Sequence, residues 1–189
     1  MKSYSMSDVF QRIYGAQLHP LIPGLAKVVD LVRSLDFYIS ARTFLVVTEM
    51  SMPVIVDALR SDGKYILMMP VRRRAVFMPD GSTLRERKIP RGLKMRIDAI
   101  IAGCHCYNQD GEIFIQYAKP IDMLDVLERS GCVHSGTVRI AAASISQQRN
   151  GFQRPSRLLF RADAIITPER GVIFHERKNE QLDGIEVKS

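Results

Sequence analysis

Residues 53–78 restrict most strongly what this chain can fold into. They read Pro-Val-Ile-Val-Asp-Ala-Leu-Arg-Ser-Asp-Gly-Lys-Tyr-Ile-Leu-Met-Met-Pro-Val-Arg-Arg-Arg-Ala-Val-Phe-Met. Val54 to Val56 is a short β-branched run and predicts a strand. Ser61-Asp62-Gly63 is a turn signal, because Gly supplies φ > 0 without a Cβ clash and Asp can bond the backbone ahead of it. Lys64 to Met69 is a second apolar run, the return strand of a hairpin. It stops at Pro70, which has no N–H for a sheet ladder but suits the first turn of a helix. Arg72, Arg73 and Arg74 fall in or beside that turn. A helix start offers unpaired N–H groups and a partial positive charge, and a guanidinium adds a planar fork for phosphate oxygens. The plainer reading is three solvated arginines on a basic surface.

Charge is unevenly spread. From Arg60 to Arg96 eleven Lys/Arg face only Asp62, Asp80 and Glu86, a net +8, while the remainder nets −1 within a total of +7. A positive field confined to one segment predicts an anionic partner such as nucleic acid, nucleotide or anionic lipid. Thr83 to Arg96 is basic, poor in apolar residues and broken by Pro90 and Gly92. It reads as an exposed loop, or a short helix plus loop, along which a nucleic-acid backbone could lie. From Arg149 to Arg161 there are four more arginines and no acid.

Elsewhere the patterns are those of a mixed chain. Ser7-Asp8 before Val9-Phe10 resembles a helix cap, with a stripe through Ile13 and Tyr14. Leu25, Val28, Val29, Val32 and Leu35 predict an amphipathic helix over Pro23–Leu35. Asp36–Ile39 and Phe44–Val47 read as strands. Met78–Ser82 is a turn. Ile97–Lys119 reads as a second hairpin turned at Asn108–Gly111, followed by a helix from Pro120 that Gly131 ends. Thr137–Ile145 is a strand. Leu158–Ile166 and Gly171–His175 form a last hairpin around Thr167–Arg170. The expected architecture is α+β, a single domain over 1–175 with a polar tail from 176 to 189.

The 53–78 stretch resembles the central box of the ParB/sulfiredoxin superfamily. In that box a Pro-plus-β-branched strand leads through an Asp-Gly turn to a Tyr-containing strand and a Gly-x-x-Arg phosphate-binding helix start. Pro53-Val54-Ile55-Val56, Asp62-Gly63, Lys64-Tyr65 and Arg72-Arg73 match in order. Pro70 and Val71 stand where that family has Gly and Glu. A basic chain of this length with such a box is similar to the plasmid fertility-inhibition proteins of the superfamily. The resemblance implies a ParB/sulfiredoxin-like mixed sheet with hairpins and flanking helices. It also implies nucleotide binding by Lys64, Arg72, Arg73 and Arg74, with ATP as the cofactor, and an ATP-hydrolysing DNase that blocks DNA transfer through a type IV secretion system. Its partners would be DNA and a coupling or relaxosome component.

For DNA the candidate contacts are Arg85, Arg87, Lys88, Arg91, Lys94 and Arg96. A nuclease commonly needs carboxylates around a divalent metal such as Mg, to activate water and neutralise developing charge. Asp57, Asp62 and Asp80 are the candidates, with Glu86 and Asp98 nearby. ATP hydrolysis would not use a P-loop, because no Gly-x-x-x-x-Gly-Lys-[Ser/Thr] occurs. Gly103-Cys104-His105-Cys106 resembles the Gly-Cys-His-Arg element of sulfiredoxin but lacks its Arg. Cys104, His105, Cys106, Cys132 and His134 could meet around zinc, although a one-residue Cys spacing is unusual for that metal. Three cysteines without an apolar leader predict a reducing, cytoplasmic setting, with attachment at the inner membrane through a partner as a variant. The competing function is a non-enzymatic DNA- or partner-binding regulator.

Overall fold

The computed structural model describes residues 3–4, 24–48, 53–70, 76–80, 83–87, 95–115, 118–150 and 157–176. Helices and strands are mixed along the chain, in keeping with the α+β expectation. The elements are β1 (Ser3–Tyr4), α1 (Leu25–Arg33), α2 (Phe37–Ser40), β2 (Thr43–Thr48), α3 (Pro53–Ser61) and β3 (Tyr65–Pro70). There follow β4 (Val76–Asp80), β5 (Thr83–Arg87), β6 (Ala99–Gly103), β7 (Cys106–Tyr107), β8 (Glu112–Ile115) and α4 (Ala118–Arg129). The chain continues with β9 (Val138–Ala142), a 3₁₀ turn (Ile145–Gln147), β10 (Arg157–Arg161), β11 (Ala164–Thr167) and β12 (Gly171–Phe174).

The strands form one large sheet ordered β1-β5-β4-β3-β2-β6-β9-β11-β12 and a small one ordered β10-β8-β7. The middle of the large sheet, β3-β2-β6-β9-β11, is parallel throughout. Its flanks are antiparallel. Parallel strands are covered on both faces and read as continuous apolar runs. Phe44, Leu45, Val46 and Val47 are accordingly all buried, as is the whole of β6. Phe44 and Val46 face α1, α2 and α3. Leu45 and Val47 face α4 and the small sheet, with Ile113, Leu127 and Phe160.

Helix α1 follows its sequence stripe: Leu25, Val28, Val29 and Val32 are buried. Each such side chain contributes roughly 1.5–3 kcal/mol of gross burial. Helix α4 also forms, and the chain leaves it through Gly131 at φ +75, with the Cys132 N–H returning to the Leu127 carbonyl at 2.9 Å. The last hairpin, expected between Leu158–Ile166 and Gly171–His175, forms only between β11 and β12, while Leu158–Arg161 belongs to β10 of the small sheet.

Several local expectations are corrected. Val54–Val56 lies in helix α3. Pro53 occupies its first position, and Ile55, Val56 and Leu59 bury one face against the α1 layer. β-branching costs a few tenths of a kcal/mol per residue in a helix, which burial of that face outweighs. Asp62-Gly63 therefore joins a helix to a parallel strand and does not turn a hairpin. Pro70 is the last residue of strand β3, and the helix start expected over the arginines after it lies outside the described residues. Asp36–Ile39 falls largely in α2. Thr83–Arg87, expected in a loop, is strand β5, paired along β4. Ile97–Ala102 does not pair with Glu112–Ala118. Its β6 portion joins the parallel core, while β8 pairs with β7 and β10 in the small sheet. The expected N-terminal helix over Val9–Tyr14 and the 177–189 part of the tail lie outside the described residues.

Candidate functional site

Strands β3, β4 and β5 of the basic window lie side by side toward one edge of the large sheet. β3 pairs antiparallel with β4, Met68 opposite Phe77, and β4 pairs with β5 from Val76↔Arg87 to Asp80↔Thr83. Positions 85 and 87 stand opposite 78 and 76 in the β4–β5 register. Arg72, Arg73, Arg74, Lys88, Arg91 and Lys94 lie outside the described residues. Arg96 is exposed. Its Nε donates to His134 Nε2 at 3.2 Å, while the Gly136 N–H donates to His134 Nδ1 at 3.0 Å. A neutral imidazole accepts at only one nitrogen, so the two contacts are alternatives.

Lys64 immediately precedes β3. The Lys64 amine donates to the Tyr38 carbonyl at 2.7 Å and the Ala41 carbonyl at 2.8 Å, and lies 4.5 Å from the Tyr38 ring centroid. Its charge anchors the α2–β2 connection.

Asp62 is similarly committed to the fold. Its carboxylate receives Arg33 through two bonds of 2.8 Å, from Nε and Nη2, and also accepts from the Tyr38 hydroxyl. The Arg33 bond, then the Tyr38 bond, hold the Asp62 carboxyl below the usual carboxylate range. The Tyr38 phenol is pushed up to about 12, first by burial and then by its bond to Asp62. The guanidinium of Arg33 is raised, chiefly by Asp62. Three elements are tied together in this way: the end of α1, α2 and the α3–β3 turn. Asp57 sits on the exposed side of α3. Asp80 ends β4 at the flank that begins with Tyr65 in β3. Among the described residues no group of three or more His, Cys, Asp or Glu is placed to hold a metal ion. The donor set of Asp62 and Lys64 does not fit a metal–nucleotide site, since their polar atoms already hold the fold.

Cys104 and Cys132 are buried and Cys106 is partly so. Cys104 follows the carboxyl end of β6, and Cys132 lies beyond α4. Burial pushes the His105 imidazole down. Sequence reasoning missed Arg33 and Tyr38, whose roles depend on a turn 24–29 residues away, and Tyr107, which reads only as a strand residue.

No family model matches the chain, and no curated protein does. Among solved structures, the NMR structure of Aquifex aeolicus 5,10-methenyltetrahydrofolate synthetase is similar at 13% identity and a TM-score of 0.53, covering 97% of this chain and 96% of that one. A crystal structure of a protein of unknown function from Methanothermobacter thermautotrophicus matches 71% of this chain and 94% of its own, at 10% identity and a TM-score of 0.38. At such identity the first likeness concerns the fold alone. Neither neighbour is described as a ParB or sulfiredoxin protein.

Proposed function

We propose that the chain binds DNA through the β3–β4–β5 flank. Its resemblance to fertility-inhibition proteins of the Osa and FiwA kind further suggests ATP hydrolysis and DNA cleavage that block conjugative or T-DNA transfer through a type IV secretion system. The observation that carries the DNA part is the charge pattern: the window from Arg60 to Arg96 nets +8 within a total of +7, and its strands β3, β4 and β5 are neighbours in the sheet. Its contacts would go to phosphates and tolerate any sequence. A second reading, a non-enzymatic DNA- or partner-binding regulator, is favoured by Asp62 and Lys64 being committed to structural bonds.

The test uses highly purified protein with duplex and single-stranded DNA, with and without Mg and ATP. Cleavage and ATP turnover that stay with the protein peak are expected on the first reading. Salt-dependent binding without either supports the regulator. The joint replacement of Arg85, Arg87, Lys88 and Arg91 by Ala should lower the slope of log affinity against log salt by about 3–4. An unchanged slope would move the surface elsewhere, with the arginines of 149–161 next.

A further inference from the structure

The parallel strands stand in the order β3-β2-β6-β9-β11, which by chain order is second, first, third, fourth, fifth. In sheets of this order the crevice at the carboxyl ends of the strands is where ligands bind. The two ends of this sheet differ. At the amino ends, polar groups are engaged with the fold. Asp98 accepts from the Arg42 and Thr43 N–H groups at 2.7 and 2.8 Å, and Asp163 from that of Arg139 at 2.7 Å. Asp62 and Lys64 belong to the same end.

At the carboxyl ends of β6, β9 and β11 the chain runs into Cys104, Ser144 and the Pro168–Arg170 turn. There a donor is left over. Tyr107 is 1% exposed, and its hydroxyl, wholly buried, has no hydrogen-bond partner among the described residues. Buried polar groups are nearly always satisfied, so such a hydroxyl needs an explanation. Arg170, Cys104 and Glu169 are within electrostatic reach of it.

The surroundings decide what kind of atom fits. The Glu169 carboxylate is occupied: Oε1 accepts from Ser144 Oγ at 3.1 Å and Oε2 from the Ile145 N–H at 3.3 Å. Lys27 is within electrostatic reach of that carboxylate. Arg149 Nη1 donates to the Ser146 and Gln148 carbonyls, and Arg170 Nη1 donates to Gln148 Oε1 at 3.1 Å. The Arg170 guanidinium is thus within reach of the unpaired donor, the one carboxylate there is engaged, and Lys27 near that carboxylate and Arg149 on the 145–149 turn add positive charge to the same edge. A cation would meet repulsion, and a neutral ligand would leave the charge unmatched. An anionic oxygen satisfies both.

We propose that the carboxyl edge of the sheet around Tyr107 and Arg170 binds the phosphate group of a small ligand, a nucleotide or a free phosphate. The Tyr107 hydroxyl donates one hydrogen bond to it. The Arg170 guanidinium supplies the charge, exchanging the Gln148 amide oxygen for a phosphate oxygen. The adjoining 145–149 turn, which Gln147 ties to the Cys104 carbonyl, moves to admit it. For ATP this rests on the nucleotide part of the proposed function, but it places the phosphate away from Lys64.

Calorimetric titration of the full chain with ATP, and separately with inorganic phosphate, tests the site. The proteins are the parent, Tyr107→Phe and Arg170→Gln, with melting temperature measured alongside. The parent should bind both probes, and each variant should bind both about 10- to 100-fold more weakly. Tyr107→Phe should melt no lower than the parent, since it removes an unpaired buried polar atom. Equal affinities in the three proteins, or no binding of either probe by the parent, would overturn the site. ATP turnover that survives Tyr107→Phe unchanged sinks the site while sparing the ATPase reading. Tyr107-dependent phosphate binding without turnover does the reverse.

Discussion

Replacing Asp62 by Ala separates a catalytic carboxylate from a structural one. The change leaves the part-buried Tyr38 hydroxyl without its acceptor and the Arg33 fork without its carboxylate. A hydrogen bond to a charged group contributes about 1.5–3 kcal/mol. The Asp62 side chain is 26% exposed, and solvent screening reduces the expected loss to about 1–2 kcal/mol. For a chain of this size that lowers the melting temperature by about 3–6 °C. Tyr38→Phe removes only the donor and should cost less. The pH dependence has a definite sign. The Asp62 pKa is depressed in the folded state, so its contribution is fully present above the unfolded carboxylate value. It is lost as pH falls through the folded value, and Asp62→Ala should flatten the acid limb of the stability curve. The assays are thermal melts from neutral pH downward, with DNA binding and turnover per folded molecule at neutral pH. Unchanged melting together with abolished cleavage would refute the structural assignment and return Asp62 to the catalytic list.

Lys64→Met keeps the aliphatic stem but strips the Tyr38 and Ala41 carbonyls of their shared donor. It should destabilise by about 1–2 kcal/mol in chemical denaturation and leave nucleotide affinity unaltered. A loss of affinity without a loss of stability would restore Lys64 to a binding site. Gly111→Ala should be more damaging, by roughly 2–4 kcal/mol, because φ is +76 and a Cβ there would lie 2.8 Å from His175 Cγ and 3.0 Å from the Ala162 carbonyl oxygen. A variant melting within a degree of the parent would show that the backbone yields at that turn.

Much of the sheet was legible because its strands carry their own pattern. Phe44–Val47 is an uninterrupted apolar run, which burial on both faces demands, and Thr167–Arg170 is bounded by strand-forming residues on each side. The α1 stripe was equally clear. Val54–Val56 was not, because three β-branched residues favour a strand locally while the helix is decided by α1, from which they are more than twenty residues removed. Its available signal was Pro53 at a helix start with Val56, Leu59 and Arg60 continuing at helical spacing. The role of Lys64 was not legible, because the Tyr38 and Ala41 carbonyls that its amine meets lie 26 and 23 residues away in the chain. Tyr107 was illegible because an unpaired hydroxyl is a property of its surroundings.

Helix α1 packs beneath β11, with Leu25, Val28 and Val29 in one cluster with Ile166, and Gly24 so close to Pro168 that a Cβ would lie 3.0 Å from its ring. A ribosome makes these partners far apart in time. At ~5–20 residues per second, Ile166 follows Val28 by on the order of ten seconds. During that interval α1 can cover β2 and α3 but not the strand that completes its seat. The nascent chain therefore carries an apolar helix face with an unfilled side. A message cut short before Ala164 would release a product with that face still open, and a holdase chaperone should retain it while letting the full-length chain go.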